Sequence, residues 1–478
     1  MTFDPPQYIV SLQNNIRSRP ISWEGAVRAK TITEADLKKI KSIDKIRKEQ
    51  RKQVIEASPA DYVDLFLGSD NEASIFQAAV KRTDIIHYML VLLGDILEDI
   101  PSFAPELLKH PSPFKSFLPM LKPSSNPDEP TALFTSIVLS TMLSHALRAS
   151  AKPSLQIEEA LPQLYSCLSA LTRSSDAGLQ DIAMQEYSAV LRSKRSRELF
   201  WEHRKETLVP LFGILRAAAG SGRETDSTQW SGTGSMRTVD SGLAGGVGIQ
   251  LLYHVLLVIW QLSFEGSLVG DGLQDEHDIL ILYIQLLRLS PKEKTTRLLL
   301  STLNNLLKSN QSTLLPAAIL ARLPTLLQTL KSRHLSDPDL LEDLDELIEL
   351  TDEYTKTQTT FDEYAAEVNS GHLRWSPPHR SQVFWSENAR KILEDNKGAL
   401  PKKLAEIMAK PWDNDKQVLA IACNDVAALV KEVPEKRAWL EKLGLKSRCL
   451  ELMSDSEESV RWESLRAVGE WLRYSFDS

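Results

Sequence analysis

Cysteine is nearly absent. Three thiols in 478 residues, Cys167, Cys423 and Cys449, are too few and too scattered for a disulfide framework, and with no CxxC pair they offer no zinc site. A reducing compartment suits such a chain. Strand signals are also scarce, since alternating apolar and polar runs are rare along the whole sequence. The longest uncharged stretch, residues 241–264, opens with Gly242, Gly245, Gly246 and Gly248. Its apolar part is interrupted by His254 and Gln261, which fits a buried core helix and no transmembrane segment. The first ten residues carry Asp4, Pro5 and Pro6 and lack the basic-then-apolar order of a signal peptide. A basic excess is missing too. Lys and Arg number 56 against 64 Asp and Glu, a net charge of −8, so no nucleic-acid partner is expected.

Catalytic signatures are likewise missing. There is no GxxxxGK[ST] loop, HExxH or GxSxG, and the glycine pairs Gly232/Gly234 and Gly246/Gly248 lack the third glycine of a dinucleotide fingerprint. His372 and His379 flank Trp375, Ser376 and Pro377, but a metal would need two further donors that the neighbouring sequence does not supply. Neither a catalytic residue nor a cofactor or metal site is expected.

What is present is helix. Apolar residues recur at spacings of three and four, with Pro, Gly and Ser-Asp punctuation about every 15 to 25 residues. The stripe Ile85, Ile86, Met89, Leu90, Leu93, Ile96 and Leu97 is too broad for a helix with one wet face, so this helix is expected between others. A bundle or an α-solenoid would satisfy that pattern, and an internal repeat decides between them. At an offset of 42 residues Asp413 and Val418 fall on Asp455 and Val460, Val426 on Val468, Leu429 on Trp471, and Val430 on Leu472. That offset lies in the armadillo/HEAT range. The expected fold is an all-α, armadillo/HEAT-like helical-repeat solenoid in two domains, 1–354 and 355–478. Residues 220–248 hold 8 of the 20 glycines and are expected to be a flexible insertion within the first domain.

Charge is distributed unevenly. Residues 37–52 carry Lys38, Lys39, Lys41, Lys45, Arg47, Lys48, Arg51 and Lys52 against Asp44 and Glu49, with Leu37, Ile40, Ile43 and Ile46 at every third position. One amphipathic basic helix is expected, suited to an acidic partner or an anionic surface, or else the solvated face of a docked helix. Residues 335–371 carry twelve acids against Lys356 alone, on a helix with the seam Leu341, Leu344, Leu347 and Ile348, and the domain boundary is set just beyond it.

Trp375, Ser376, Pro377 and His379, followed by Phe384, Trp385 and Asn388, reproduce a WSPxH…FWxxN pattern. Further blocks appear in matching order: QLxY…WxLxF at Gln250–Phe264, KEKxxR at Lys292–Arg297, Asn304 with Leu306 and Leu307, and an early block around Arg17 and Trp23. In these the chain resembles the H subunit of the vacuolar-type proton-pumping ATPase. The resemblance implies a non-catalytic regulatory component of the cytosolic V1 sector, bound peripherally on the cytosolic face of vacuolar and endomembranes. It also implies coupling of ATP hydrolysis to proton transport in the assembled pump and silencing of hydrolysis in free V1. The implied partners are the E and G subunits of the peripheral stalk, the cytosolic part of the membrane-embedded a subunit, and the rotor and catalytic head in free V1. By residue type the WSP block is a scaffold or a partner contact. Trp412, Asp413 and Asp415, in a loop between helices, are a candidate inhibitory surface or a capping turn. The other reading of the repeat is an armadillo-type adaptor that binds peptide segments, although the regular Asn and Trp ladders of such grooves are missing.

Overall fold

The computed structural model describes residues 7–69, 72–122, 130–149, 154–220, 247–290, 292–357, 359–412 and 415–473. Most of the Gly/Ser insertion, 221–246, and Asp413 therefore lie outside the described residues. Among the described residues there are 28 α-helices and three short 3-10 turns, and no strand. The chain is the all-α helical-repeat protein that its periodicity predicts. By packing it divides into Met1–Ser309 and Asn310–Ser478. The boundary expected from charge, 354/355, lies within the helix Pro338–Thr357.

In the first unit each helix leans on the next. Thr83–Asp99, which buries ten side chains, packs on Pro130–Ala149, and this in turn packs on Leu155–Thr172 and Ala177–Val190. Ala177–Val190 meets Ile249–Ser263, which meets Glu293–Ser309. Nearest-neighbour stacking of this kind builds one continuous core by extension. Pro130–Ala149 is long and apolar enough to cross a membrane, but 72% of its most apolar window is buried among its neighbours.

The basic segment departs from expectation. It forms two helices, Glu34–Ile43 and Lys48–Ala57, with Asp44 extended and Lys45 at φ +54° between them. A strict three-residue spacing drifts by 60° per step on an α-helix, so on one unbroken helix Leu37 and Ile46 would stand 180° apart. The break lets Ile40, Ile43 and Ile55 all point inward. Both pieces are docked. Lys48 and Arg51 reach Asp99 at 2.6 and 3.5 Å, the buried Arg51 also donates to the Ile43 carbonyl, Lys41 pairs with Glu24, and the Tyr88 hydroxyl donates to Asp44. Lys38, Lys45, Arg47 and Lys52 remain exposed.

In the second unit the helices Gln311–Leu320, Leu323–Lys331 and Pro338–Thr357 pack together. The seam of Pro338–Thr357 is Leu340, Leu344, Leu347 and Ile348. Leu341 is exposed, one residue away from the expected position, because Asp337 starts the helix by accepting from the amides of Asp339 and Leu340 and so sets which residue faces inward. From Phe361 to Trp471 a single apolar core continues. The repeat holds there: Val418 and Val460, Val426 and Val468, and Leu429 and Trp471 are buried, and their helices, Gln417–Glu432 and Glu458–Arg473, pack on each other. Just ahead of the second of these helices, Asp455 accepts from the Glu457 amide at 2.9 Å and also takes Lys416 Nζ at 2.8 Å. Leu472, the fourth matched position, is exposed.

Candidate interaction site around a buried histidine

The WSP block starts where a helix stops. Thr360–Ser370 opens with a capping box between Thr359 and Asp362 and ends at Gly371, whose φ of +78° suits glycine. Its inward face carries Phe361, Tyr364 and Val368 and, on the same stripe, the carboxylate of Glu367. Beyond it, Ser376 is extended (φ −79°, ψ 164°), the backbone that a following proline demands. Pro377 begins a new single-turn helix, Pro377–Arg380, so the proline pair acts as a start signal as well as a stop.

That turn delivers His379 into the core. Its ring is fully buried, with Nδ1 2.7 Å from Asp425 Oδ1 and Nε2 3.2 Å from Glu367 Oε1. Burial alone would lower the His379 pKa. The carboxylates of Asp425 and Glu367 outweigh it and raise the pKa to about 10, so the ring is an imidazolium at neutral pH. Burial pushes the Asp425 carboxyl up, and His379 opposes that shift. Glu367 also accepts from the Arg374 amide and from Ser376 Oγ at 2.7 Å. Asn424 donates to the His379 carbonyl at 2.9 Å, and its side-chain oxygen accepts from Arg466. Tyr364, Phe384 and Trp385 enclose the cluster, with ring centroids 5.3 to 5.5 Å apart. Asn388 turns back to the Phe384 carbonyl within its own helix.

The arrangement holds structure. Ser376 donates to Glu367 and not to the imidazole. The hydrogen bond with Cys449, and then burial, push the Cys423 thiol up, away from reactivity. Among the described residues no group of three or more His, Cys, Asp or Glu side chains is placed to hold a metal. The cluster ties three elements together: the helix 360–370 through Glu367, the proline turn through His379, and the helix Gln417–Glu432 through Asn424 and Asp425.

The outer side of the block is accessible. Trp375 is half-buried, with the Arg380 guanidinium 5.2 Å over its ring, at the mouth of a cleft of about 560 Å³ that Lys431, Arg466 and Glu470 also line. Trp412 is half-buried: its indole N–H donates to the Ile407 carbonyl at 2.7 Å, its ring meets His372 edge-on, and its φ is +51°. Asp415 beside it is exposed. The cations of residues 37–52 lie in the other unit.

Sequence reasoning missed Glu367, Asp425, Asn424 and Tyr364. The available signal was an acid on an otherwise apolar face, at Glu367 among Phe361, Tyr364 and Val368, and at Asp425 inside the apolar run 418–430. The other motif blocks also have structural roles. His254 bonds Asp181 at 2.5 Å, Gln261 donates to the Ser188 carbonyl, Trp260 to Ser301, and Asn305 to Ser263.

Comparison with known proteins gives one family. An amino-terminal domain model for the H subunit of the V-ATPase matches residues 7–350, and a carboxyl-terminal domain model with the same description matches 357–476. The chain is 27% identical to the V-type proton ATPase H subunit of Dictyostelium discoideum, over 87% of this chain and 84% of that protein. It is 26% identical to a probable V-type proton ATPase H subunit of Oryza sativa subsp. japonica, over 95% and 94%. With a probable H subunit of the same pump from Caenorhabditis elegans the identity is 34%, and the match spans about half of each protein (46% and 49%).

Proposed function

The chain belongs to the V-ATPase H-subunit family, an accessory and non-catalytic part of the proton pump, and on that premise we propose that it regulates the V1 sector. In the assembled pump it couples ATP hydrolysis to proton transport, and in free V1 it silences hydrolysis. Its partners are other V-ATPase subunits. We assign these as the E and G subunits of the stalk, the cytosolic part of the membrane-embedded a subunit, and, in free V1, the rotor and head, which puts the chain on the cytosolic face of vacuolar membranes. Two domain models that meet between residues 350 and 357 are the observation that carries this reading, since a coupling device needs one part that stays and one that moves. The adaptor reading gives way to the family assignment.

The site residues follow from their surroundings. Trp375, Ser376, Pro377, His379, Phe384, Trp385 and Asn388 set the entry to the second domain, 355–478. Of the basic residues, Lys38, Lys45, Arg47 and Lys52 are offered to an acidic protein partner, because the apolar faces of their helices are already buried and leave nothing to insert into lipid. Trp412, with its indole anchored to the Ile407 carbonyl, and the exposed Asp415 are the candidate inhibitory contact.

The test is reconstitution. Full chain added to free V1 is expected to suppress ATP hydrolysis. A chain lacking residues 355–478 is expected to co-purify with stalk subunits and leave hydrolysis running. Equal suppression by the truncated chain would refute the moving-domain mechanism.

A further inference from the structure

Three of the described histidines are buried, and they are held in different ways. His254 reaches Asp181 at 2.5 Å and His379 lies between Asp425 and Glu367, so each has a carboxylate to balance a proton. His277 has none. It closes the helix Gly266–His277, is 6% exposed, and among the described residues no hydrogen-bond partner reaches either ring nitrogen. What holds it is Phe212 of the helix Arg204–Ala218, whose ring lies parallel to the imidazole with centroids 4.0 Å apart. The stack fastens a tight elbow. Asp278 alone separates this helix from Ile279–Leu289, at φ +52°, a left-handed backbone that is uncommon outside glycine. Arg216 donates to the His277 carbonyl at 3.5 Å, and Gln274 accepts the Asp278 amide with its carbonyl and the Leu280 amide with its side chain.

We propose that His277 is an acid-sensitive latch: the neutral ring locks the elbow between the helices 266–277 and 279–289, and a protonated ring leaves Phe212 and frees it. A neutral imidazole buries one N–H and one lone pair, whereas an imidazolium would bury a full charge and two donors without an acceptor. The nearest charge on 204–218 is a second cation, Arg216. It lies 6.0 Å from the Phe212 centroid, so the attraction of an imidazolium to that ring would be shared with a charge already there. Glu276 and Asp278, on either side in the chain, favour the charged ring, but Glu276 is tied to Arg204 at 2.8 Å. The other neighbouring helices offer no buried acid. The helix 249–263 has no Lys, Arg, Asp or Glu, 279–289 has Arg288 alone, and 194–202 approaches through the uncharged Trp201. On 293–309, Glu293, Lys294, Arg297 and Lys308 all lie outside the core. Burial first, and Arg216 second, hold the His277 pKa below its ordinary 6.5. The stabilisation is therefore fully present above about 6.5 and is lost as pH falls below it, the opposite sense to His379. The inference rests on burial and stacking within the first unit and not on the coupling role, so the two fail independently.

Hydrogen–deuterium exchange of the full chain, read by mass spectrometry on peptides covering 266–289 and corrected for the intrinsic rate at each pH, measures opening of the elbow. Between about pH 7.5 and about pH 5.5 the opening constant is expected to rise by up to about tenfold, as uptake of one proton by the open form requires. The helix Leu155–Thr172, in the same unit and without a histidine, should keep its protection. His277→Phe, which keeps an aromatic ring on Phe212 and takes up no proton, should abolish the rise. His277→Gln, which gives up the stack as well, should leave the elbow open to the same degree at both pH values. The proposal is overturned if the rise in the native chain is below about twofold, or if it persists in either variant. Loss of protection in 155–172 in step with 266–289 would also overturn it, since acid would then act on the whole unit; that comparison needs no variant.

Discussion

At His379 a buried imidazolium sits between two carboxylates, and an ion cluster of that kind is costly to break from one side. Removing one partner leaves an uncompensated buried charge, which costs about 3–5 kcal/mol. Asp425→Ala is therefore expected to lower the unfolding free energy by an amount in that range, measured by urea denaturation followed by tryptophan fluorescence, and a loss below about 1 kcal/mol would show that the cluster does not hold the fold. The pH dependence has a definite sign. The folded-state pKa of His379, about 10, lies above its ordinary 6.5, so the stabilisation is fully present below about 6.5 and is lost as pH rises through about 10. The stability difference between the native chain and His379→Gln should be flat in acid and close progressively in alkali. A difference that instead grew with pH would contradict an imidazolium. The sequence marked His379 by its motif but hid its partners. Glu367 counted as one of twelve acids in a charged segment, and Asp425 lay in a helix buried on all sides, where periodicity carries no contrast.

At the scale of the element, turns decide where helices face. Gly371 and Gly398 both have positive φ, but a Cβ at Gly371 would meet open space and one at Gly398 would meet the Trp439 ring. Gly371→Ala is thus expected to cost only the backbone term, about 1–2 kcal/mol, and Gly398→Ala more, since the indole must also move. Equal losses in paired denaturation curves would mean that Trp439 yields freely. The same scale explains what periodicity could and could not reveal. Thr83–Asp99 and the 42-residue repeat were legible because many apolar side chains average out single errors. The break in the basic segment was not legible because Lys45 adopts a left-handed backbone that no residue type there announces, and Leu340 replaced Leu341 because the cap at Asp337 sets the register.

For the whole molecule, two divisions of the chain differ. Packing separates Met1–Ser309 from Asn310–Ser478, whereas the family models part between 350 and 357. The helices between the two cuts explain why. Gln311–Leu320 packs on Thr360–Ser370, and Arg374 donates to the Leu320 carbonyl, so residues 310–357 cover the entry to the second domain although the family models assign most of them to the first. A cleft of about 290 Å³ lies there, lined by Ile319, Leu320, Tyr354, Glu363, Arg374 and Trp375. A fragment of residues 310–478 is therefore expected to melt cooperatively, and one of residues 357–478, with the face of Thr360–Ser370 that Gln311–Leu320 covers newly exposed, to melt at a lower temperature or without a sharp transition. Differential scanning calorimetry of the two fragments decides the matter. Equal melting temperatures would mean that the helices 311–357 contribute nothing to the second domain, and would return the structural boundary to residue 355, where the change in charge first placed it.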